Sequence, residues 1–495
     1  MTEKDYIKTI FGLKLKQTRN KRNLSLFELS KLSGMSKSYL NEIEKGKKFP
    51  KEDKIEALAK VLKLSFKELT SLSLDKNLAP IAKILKSNIL REIPLEIFGI
   101  EERDLIDIIA EAPIKVNSFI STLIEIGNNY NLTKENFFLA ALRSYQEAND
   151  NYFENIEKQA EAFNKEYIRK RTENNLCNQL KMILIKEYNY TINIQNFEKD
   201  EPELKDLRSI YIRETKTLLI NDIVEKSQEE FIYAKELGYC YMEMRERLDT
   251  FSWASFDNFE QLLNNFYMSY FAGALLIPKK ELAIKLDEFI NEPNWNTDLF
   301  QDIMNEFTTS PETFYQRLSN ILPAHFNIKD LFFLRFNYKL GSNKFHITKE
   351  LHISQRHSPH ANETSEYYCR RWLSINTIKE LEENPKKMHI NDCQFSTYPE
   401  HGDSKYLIIS SATKDPFKLD NIRSVTIGIL ITKPIKKQLA LINDKNIPLN
   451  FVGVTCQSCG IQDCKERMSA PTTLEKSTKG IRLQKSVERY VSEFD

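Results

Sequence analysis

Apolar positions recur at helical spacing through the first two thirds of the chain and then give way to short strand-like runs. Near the N-terminus, Phe11 and Leu15 mark a first helix. Leu26, Leu29 and Leu32 line one face of a second, and Leu40 and Ile43 face inward from a third. Ile55, Leu58, Ala59 and Leu62 follow i, i+3, i+4, i+7 for a closing helix. The punctuation agrees with the pattern. Ser25, three residues before Glu28, predicts a capping box. Gly34 falls where a tight turn needs positive φ, Met35 plugs that turn, and Ser36 can cap the helix after it.

From Leu78 to Ile321 the pattern stays mostly helical. Val116, Ile120, Leu123 and Ile124 give one apolar face, and Phe138, Ala141, Leu142 and Tyr145 another. Pro94, Pro113, Pro202, Pro278 and Pro293 punctuate it, and YIRETKTLLIN (211–221) reads as a strand pair. After Pro323 the runs LFFLRFNY (331–338), KFHITKELH (344–352), KYLIIS (405–410) and SVTIGILIT (424–432) predict strands. A helix over Ser374–Glu383 interrupts them. The tail after Pro471 is polar, with an amphipathic helix predicted over Ile481–Phe494.

These patterns predict a multidomain, mainly α protein with a C-terminal mixed-sheet α/β domain. The divisions fall at 1–74, 75–150, 151–322, 323–471 and a tail at 472–495. A length of 495 residues suits roughly three domains. Only 13 Gly and 16 Pro argue against a Gly-rich nucleotide-binding enzyme and an all-β array. The longest nearly apolar run, around Phe266–Pro278, is far short of the ~20 residues of a membrane span. The first residues carry acids and no long apolar stretch, unlike a secretory signal. Seven cysteines without an export signal fit a reduced, cytoplasmic protein.

Charge changes the picture more than composition does. The whole chain carries 71 Lys+Arg and 70 Asp+Glu, yet its first 74 residues hold 17 basic and 9 acidic residues. A basic head therefore sits on a slightly acidic body. The caps, the turn glycine and the basic bias of that head describe a five-helix-type helix-turn-helix unit. In such a unit the second helix of the motif enters the DNA major groove. Ser36, Lys37, Ser38, Tyr39 and Asn41 are the candidate groove-facing residues, since Ser and Asn read base edges and Lys reaches guanine or phosphate. Lys45, Lys47 and Lys48 form a loop suited to phosphates. The expected partner is a double-stranded DNA operator. KLSGMSKSYLNEIEKGKKFP with IEALAKVLKLSFKEL resembles the Xre/Cro-type family, with Leu26 standing where many members carry a supporting Gln.

The segment FIYAKELGYCYMEMRER (231–247) has the outline of a zinc-peptidase helix without its ligands. That chemistry needs two histidines at i and i+4 with a Glu beside the first. Here Lys235 and Tyr239 take the two positions, and Glu236 remains without a metal-bound water to deprotonate. An ammonium has no lone pair for zinc. NNFYMSYFAGALLIP (264–278) resembles the next helix of the ImmA/IrrE metallopeptidase-like domain, a likeness spanning about 151–278. The resemblance implies the scaffold, with no catalytic zinc and no enzyme activity. Tyr239, Tyr267, Tyr270 and Phe271 would wall a former cleft, or simply form core.

Cys456, Cys459 and Cys464 lie as C-x2-C-x4-C beside Gly460, a spacing suited to zinc or an iron–sulfur cluster. Cys369 in YYCRRW is the first candidate for a fourth ligand, with Cys393, His357 and His360 as alternatives. Unligated, reduced cysteines are the competing reading. Cys177 and Cys240 sit on apolar helical patterns and read as core fillers.

The order of parts, with LRSYQEANDNYFENIE (142–157), CRRW and CQSCGIQDCKERMSAP, resembles the short-chain fatty acyl transcriptional regulators. That resemblance implies control of carbon metabolism and an acyl-CoA-type effector. The expected protein is a homodimeric, sequence-specific regulator. The alternatives are a metal or redox sensor working through the cysteines, and a peptidase acting on a repressor.

Overall fold

A computed structural model describes residues 3–71, 134–168, 175–250, 256–353, 366–399, 404–415, 417–418 and 420–492. The apolar positions at 116–124, Pro94 and Pro113, His357 and His360, and Phe494 lie outside the described residues. The chain divides into two compact units. One holds residues 1–145 with 257–260, and the other holds 146–256 with 261–495.

The first unit opens with the helices α1 (Glu3–Lys21), α2 (Leu26–Ser33), α3 (Lys37–Glu44), α4 (Glu52–Leu62) and α5 (Phe66–Thr70). Phe11, Leu15, Leu29, Met35, Leu40, Ile43, Ile55, Leu58, Leu62 and Leu69 form their shared core. Leu32, expected on the inner face, is instead 60% exposed. The reason is geometric: α2 is only eight residues long, and its contact face is used by Leu29 and by the Met35 that follows the turn. Two close approaches lock the arrangement. A Cβ on Gly12 would lie 2.3 Å from the Ile43 carbonyl oxygen, so α1 and α3 meet only because that position is glycine. Arg19 of α1 donates to both carboxylate oxygens of Glu44 at 2.6 and 2.9 Å and to the Leu24 carbonyl at 2.7 Å. In the same unit, α6 (Lys134–Ala148) sets Phe138 edge-on against Phe259.

The second unit begins with a helical layer and a small sheet. Its helices are α7 (Glu154–Tyr167), α8 (Leu176–Tyr188), α9 (Lys226–Tyr241), α10 (Phe259–Leu276), α11 (Lys279–Asn291), α12 (Thr297–Phe307) and α13 (Pro311–Phe326). Strands β2 (Ser209–Ile212) and β3 (Thr217–Asn221) are the expected antiparallel pair. A further strand, β1 (Thr191–Gln195), runs parallel to β3 on its other side. Gly238 lets α9 approach α10, since a Cβ there would meet the Phe271 ring at 2.9 Å. Pro323 does not open the strand region. It lies inside α13, near the end, where few backbone hydrogen bonds depend on it.

The remaining strands form one six-stranded mixed sheet, ordered β5-β4-β8-β7-β6-β9. They are β4 (Leu331–Lys339), β5 (Phe345–His352), β6 (His389–Tyr398), β7 (Ser404–Lys414), β8 (Asn421–Leu430) and β9 (Leu449–Phe451). Strand β6 escaped the sequence pattern because it is buried along both faces while carrying Asn391, Gln394, Ser396 and Thr397. Hydrogen bonds make that burial tolerable: Ser411 donates to Asn391, and Asn450 donates to Gln394 at 2.8 Å. On one face of the sheet, α14 (Leu373–Glu383) buries Leu373, Ile375, Ile378 and Leu381 against Phe336, Ile408 and Ile422. On the other, α13 packs through Tyr315, whose hydroxyl is hydrogen-bonded to that of Ser411 at 2.8 Å. The final helix, α15 (Thr472–Ser492), begins nine residues before the expected start and buries none of its described residues.

Candidate functional site

The head is assembled for a polar face at α3. Ser25 accepts from the Glu28 N–H while the Glu28 carboxylate accepts from the Ser25 N–H, which starts α2 as a reciprocal box. That hydrogen bonding holds the Glu28 carboxyl below its ordinary range. Gly34 closes α2 at φ 68°, and the Ser30 hydroxyl donates to the Met35 carbonyl across the turn. Ser36 then caps α3 by accepting from the Tyr39 N–H at 3.2 Å. Leu40 and Ile43 point into the core, so the helix period turns Lys37, Ser38 and Asn41 to solvent. Ser36 is exposed beside them and Tyr39 is half-buried. Lys45, Lys47 and Lys48 are exposed on the loop that follows. The Lys48 ammonium sits 2.8 Å from the Glu42 carboxylate, which raises its pKa and makes it the most occupied of the three.

Residues 15–69 match the helix-turn-helix family.

That match takes in α2 to α5, so α3 belongs to a helix-turn-helix head, which supports DNA binding by the first unit. Residues 189–319 match the IrrE N-terminal-like domain. That stretch begins later than residue 151, where the sequence resemblance starts, and ends within α13. Among solved structures, the chain is similar to a Mycobacterium tuberculosis transcriptional regulator, at 17% identity and a TM-score of 0.46. The similarity covers 66% of this chain and 92% of that one. No curated protein matches the chain.

In the IrrE-like domain, the positions of the two missing histidines hold side chains that belong to the protein interior. Lys235 is buried and donates to the Asn265 side-chain oxygen at 2.6 Å. Burial lowers its pKa to about 7. Glu236 is paired with Arg247 at 2.7 and 2.8 Å and accepts from the Tyr190 hydroxyl at 3.1 Å. The Arg247 guanidinium lies over the rings of Tyr211 and Tyr239, at 3.9 and 4.2 Å. The second missing ligand position, Tyr239, is thus one wall of a cation sandwich. The other aromatics also serve the core. Tyr270 donates to Glu157 and accepts from the Phe153 N–H, Phe271 fills the space beside Gly238, and Tyr267 lies against Phe153. Glu157 in turn receives a fully buried pair from Arg317, at 2.5 and 2.9 Å. Arg247 and Arg317 were not singled out from the sequence, because nothing local marks an arginine whose partner lies elsewhere in the fold.

The C-terminal cysteines do converge. Cys369, Cys456, Cys459 and Cys464 line one small cavity with Arg370, Glu466 and Arg467. Short backbone pairing brings them there. The Cys369 N–H donates to the Val454 carbonyl at 3.0 Å, and the Cys456 N–H to the Tyr367 carbonyl at 2.8 Å. Arg467 closes the loop by donating to the carbonyls of Cys456, Cys459 and Ile461. Burial pushes the Cys369 thiol up to about 11. Among the described residues no group of three His, Cys, Asp or Glu is set at metal-holding distances. The four thiols thus share a cavity without forming a closed ligand cage. Cys393 is not in that lining and is buried in β6 opposite Ile409. Cys177 is buried and Cys240 half-buried, on α8 and α9.

Proposed function

We propose that the chain is a homodimeric, sequence-specific transcriptional regulator whose second unit answers to a small-molecule effector, such as an acyl-CoA. Its target genes belong to carbon and fatty-acid metabolism. The observation that carries the DNA half of this reading is the capped α3, with Lys37, Ser38 and Asn41 outward and three lysines just beyond it. Two heads spaced by about one helical turn would read a pseudo-palindromic operator. The effector half rests on the sequence resemblance alone, together with a peptidase-like scaffold whose two zinc-ligand positions are Lys235 and Tyr239. An effector that prefers one dimer conformation would shift operator affinity by that preference.

The test is a salt-titrated gel shift on promoter fragments of its own and neighbouring genes, with and without acyl-CoA. Saturable, sequence-dependent binding that changes with acyl-CoA is the expected result. Salt-insensitive or absent duplex binding would end the reading. Light scattering of the same sample checks the dimer.

A second reading, a metal or redox sensor, is favoured by the four cysteines around one cavity. The donor set fits a soft metal in kind. Cys369, Cys456, Cys459 and Cys464 would hold zinc or an iron–sulfur cluster, which would supply a cross-link between the 369 and 456–464 segments. Elemental analysis of anaerobically purified protein tests it.

A further inference from the structure

Four arginines are buried among the described residues, and three of them have a carboxylate. Arg19 pairs with Glu44, Arg247 with Glu236 and Arg317 with Glu157. Arg370 is the exception. It is 4% exposed, makes no ion pair among the described residues, and its Nη1 is buried there without a hydrogen-bond partner. The rest of the side chain is held in place. Nη2 donates to the Asn343 carbonyl, and the guanidinium lies over the Phe345 ring at 4.4 Å. A buried cation with neither counter-charge nor full hydrogen bonding is costly unless an anion completes it.

The cavity that Arg370 lines is the one shared by Cys369, Cys456, Cys459 and Cys464. The other charged groups of the lining are already engaged. Arg467 donates to the carbonyls of Cys456, Cys459, Ile461 and Ser469. Glu466 faces Lys379 at 3.8 Å. The backbone is also shaped around a sulfur, since a Cβ on Gly453 would lie 2.9 Å from Cys459 Sγ. As thiols, the four cysteines offer Arg370 no charge. As metal ligands they do. Each loses its proton to solvent on binding, and four thiolates around a zinc dication leave two negative charges. An iron–sulfur cluster held by four thiolates is likewise a charged centre whose properties follow the donors around its sulfurs.

We propose that Arg370 is the resident counter-charge of the cysteine site, with Nη1 donating to a thiolate when the four cysteines hold zinc or an iron–sulfur cluster. The inference rests on the metal reading of those cysteines and adds the residue that sets how tightly the centre is held. A charge-assisted donor favours the anionic, metal-bound state over the neutral thiols, and stabilises a reduced cluster over an oxidised one. Removing the arginine therefore acts in opposite directions on the two states. The metal-free protein keeps or gains stability, and the metal-bound protein loses it.

The experiment is zinc titration of reduced, metal-free full-length protein against a competing chromophoric chelator, with thermal melts of the metal-free protein in parallel. Arg370→Met and Arg370→Lys are compared with the natural chain. Arg371→Gln is the neighbouring control, since Arg371 donates outside the cavity to the Phe451 carbonyl. The expected result is one zinc per chain, bound at least ~10-fold more weakly by Arg370→Met, within about threefold of the natural chain by Arg370→Lys, and unchanged in Arg371→Gln. The metal-free melt of Arg370→Met should lie at or above that of the natural chain, whereas an arginine with a purely structural role would lower it. Equal zinc affinity in Arg370→Met, an equal loss in Arg370→Lys, or a lower metal-free melt would overturn the proposal and leave the metal reading standing. Anaerobic reconstitution with ferrous iron and sulfide separates the two centres. If the natural chain forms a cluster instead, Arg370→Met should lower its midpoint potential, and an unchanged potential would overturn the proposal. If the natural chain holds neither zinc nor a cluster, the metal reading and the role of Arg370 fall together.

Discussion

Arg247 places one guanidinium nitrogen 2.7 and 2.8 Å from the two carboxylate oxygens of Glu236, the residue that would be the general base of a zinc peptidase. With Tyr190, Tyr211 and Tyr239 around the pair, the Glu236 carboxylate is held as a structural anchor. Removing one partner leaves the other charge buried and unpaired. Arg247→Ala should therefore cost about 3–5 kcal/mol in urea unfolding of the second unit, and Arg247→Ala/Glu236→Ala should recover part of that loss. Equal destabilisation by the single and double variants would contradict the pairing.

Lys235 is the titrating group of this region. Its pKa near 7 is well below that of an unfolded lysine, so the unfolded chain binds the extra proton between about pH 7 and 10. Stability from this group should rise with pH across that window and be lowest below pH 7. Lys235→Met should raise the thermal midpoint by a few degrees at pH 6.5 and by less at pH 9.5. A midpoint shift independent of pH would show that the lysine is not buried as described.

On the DNA side, base readers and phosphate contacts should separate. Lys37→Ala and Asn41→Ala should relax base preference, each by about 1–3 kcal/mol of discrimination. Lys47→Ala should weaken all sequences alike and lower the salt slope by about 1. Gel shifts on an operator and on scrambled duplexes give both quantities.

The head should depend on Gly12 as much as on its apolar core. A methyl group there meets a carbonyl oxygen at 2.3 Å, and backbone cannot move aside cheaply. Gly12→Ala should abolish operator binding through loss of folding, seen as lost helicity in the isolated transition of the head. Glu44→Ala, which strands the Arg19 charge, should cost about 3–5 kcal/mol.

Cys459 separates the two readings of the cysteine cavity. Cys459→Ala that folds and binds operator but no longer answers to oxidant or iron would favour sensing. Loss of bound metal together with unfolding would mark a structural cross-link.

Local chemistry made the head legible from the sequence. The Ser25–Glu28 box, the Gly34 turn and the Ser36 cap each depend on residues within four positions of one another, and all three are formed. The same holds for strands β4, β7 and β8, whose β-branched and aromatic runs match the observed elements. Leu32 misled because periodicity says which face is apolar, not whether a partner covers it. Strand β6 was missed because its polar residues are satisfied by side chains from β7 and from the segment at Asn450.

The sequence by itself determined the helix-turn-helix, the loss of both zinc-binding histidines and the tight C-x2-C-x4-C spacing, because each is a matter of residues close in the chain. Only the tertiary structure decided that Arg247 would neutralise Glu236, that Cys369 would join the other three cysteines across 87 residues of chain, and that Arg335 and Lys349 would share the Glu312 carboxylate. Those relationships are electrostatic and long-range. Their energy depends on distance and dehydration in the folded chain, and neither quantity has a signature in local spacing.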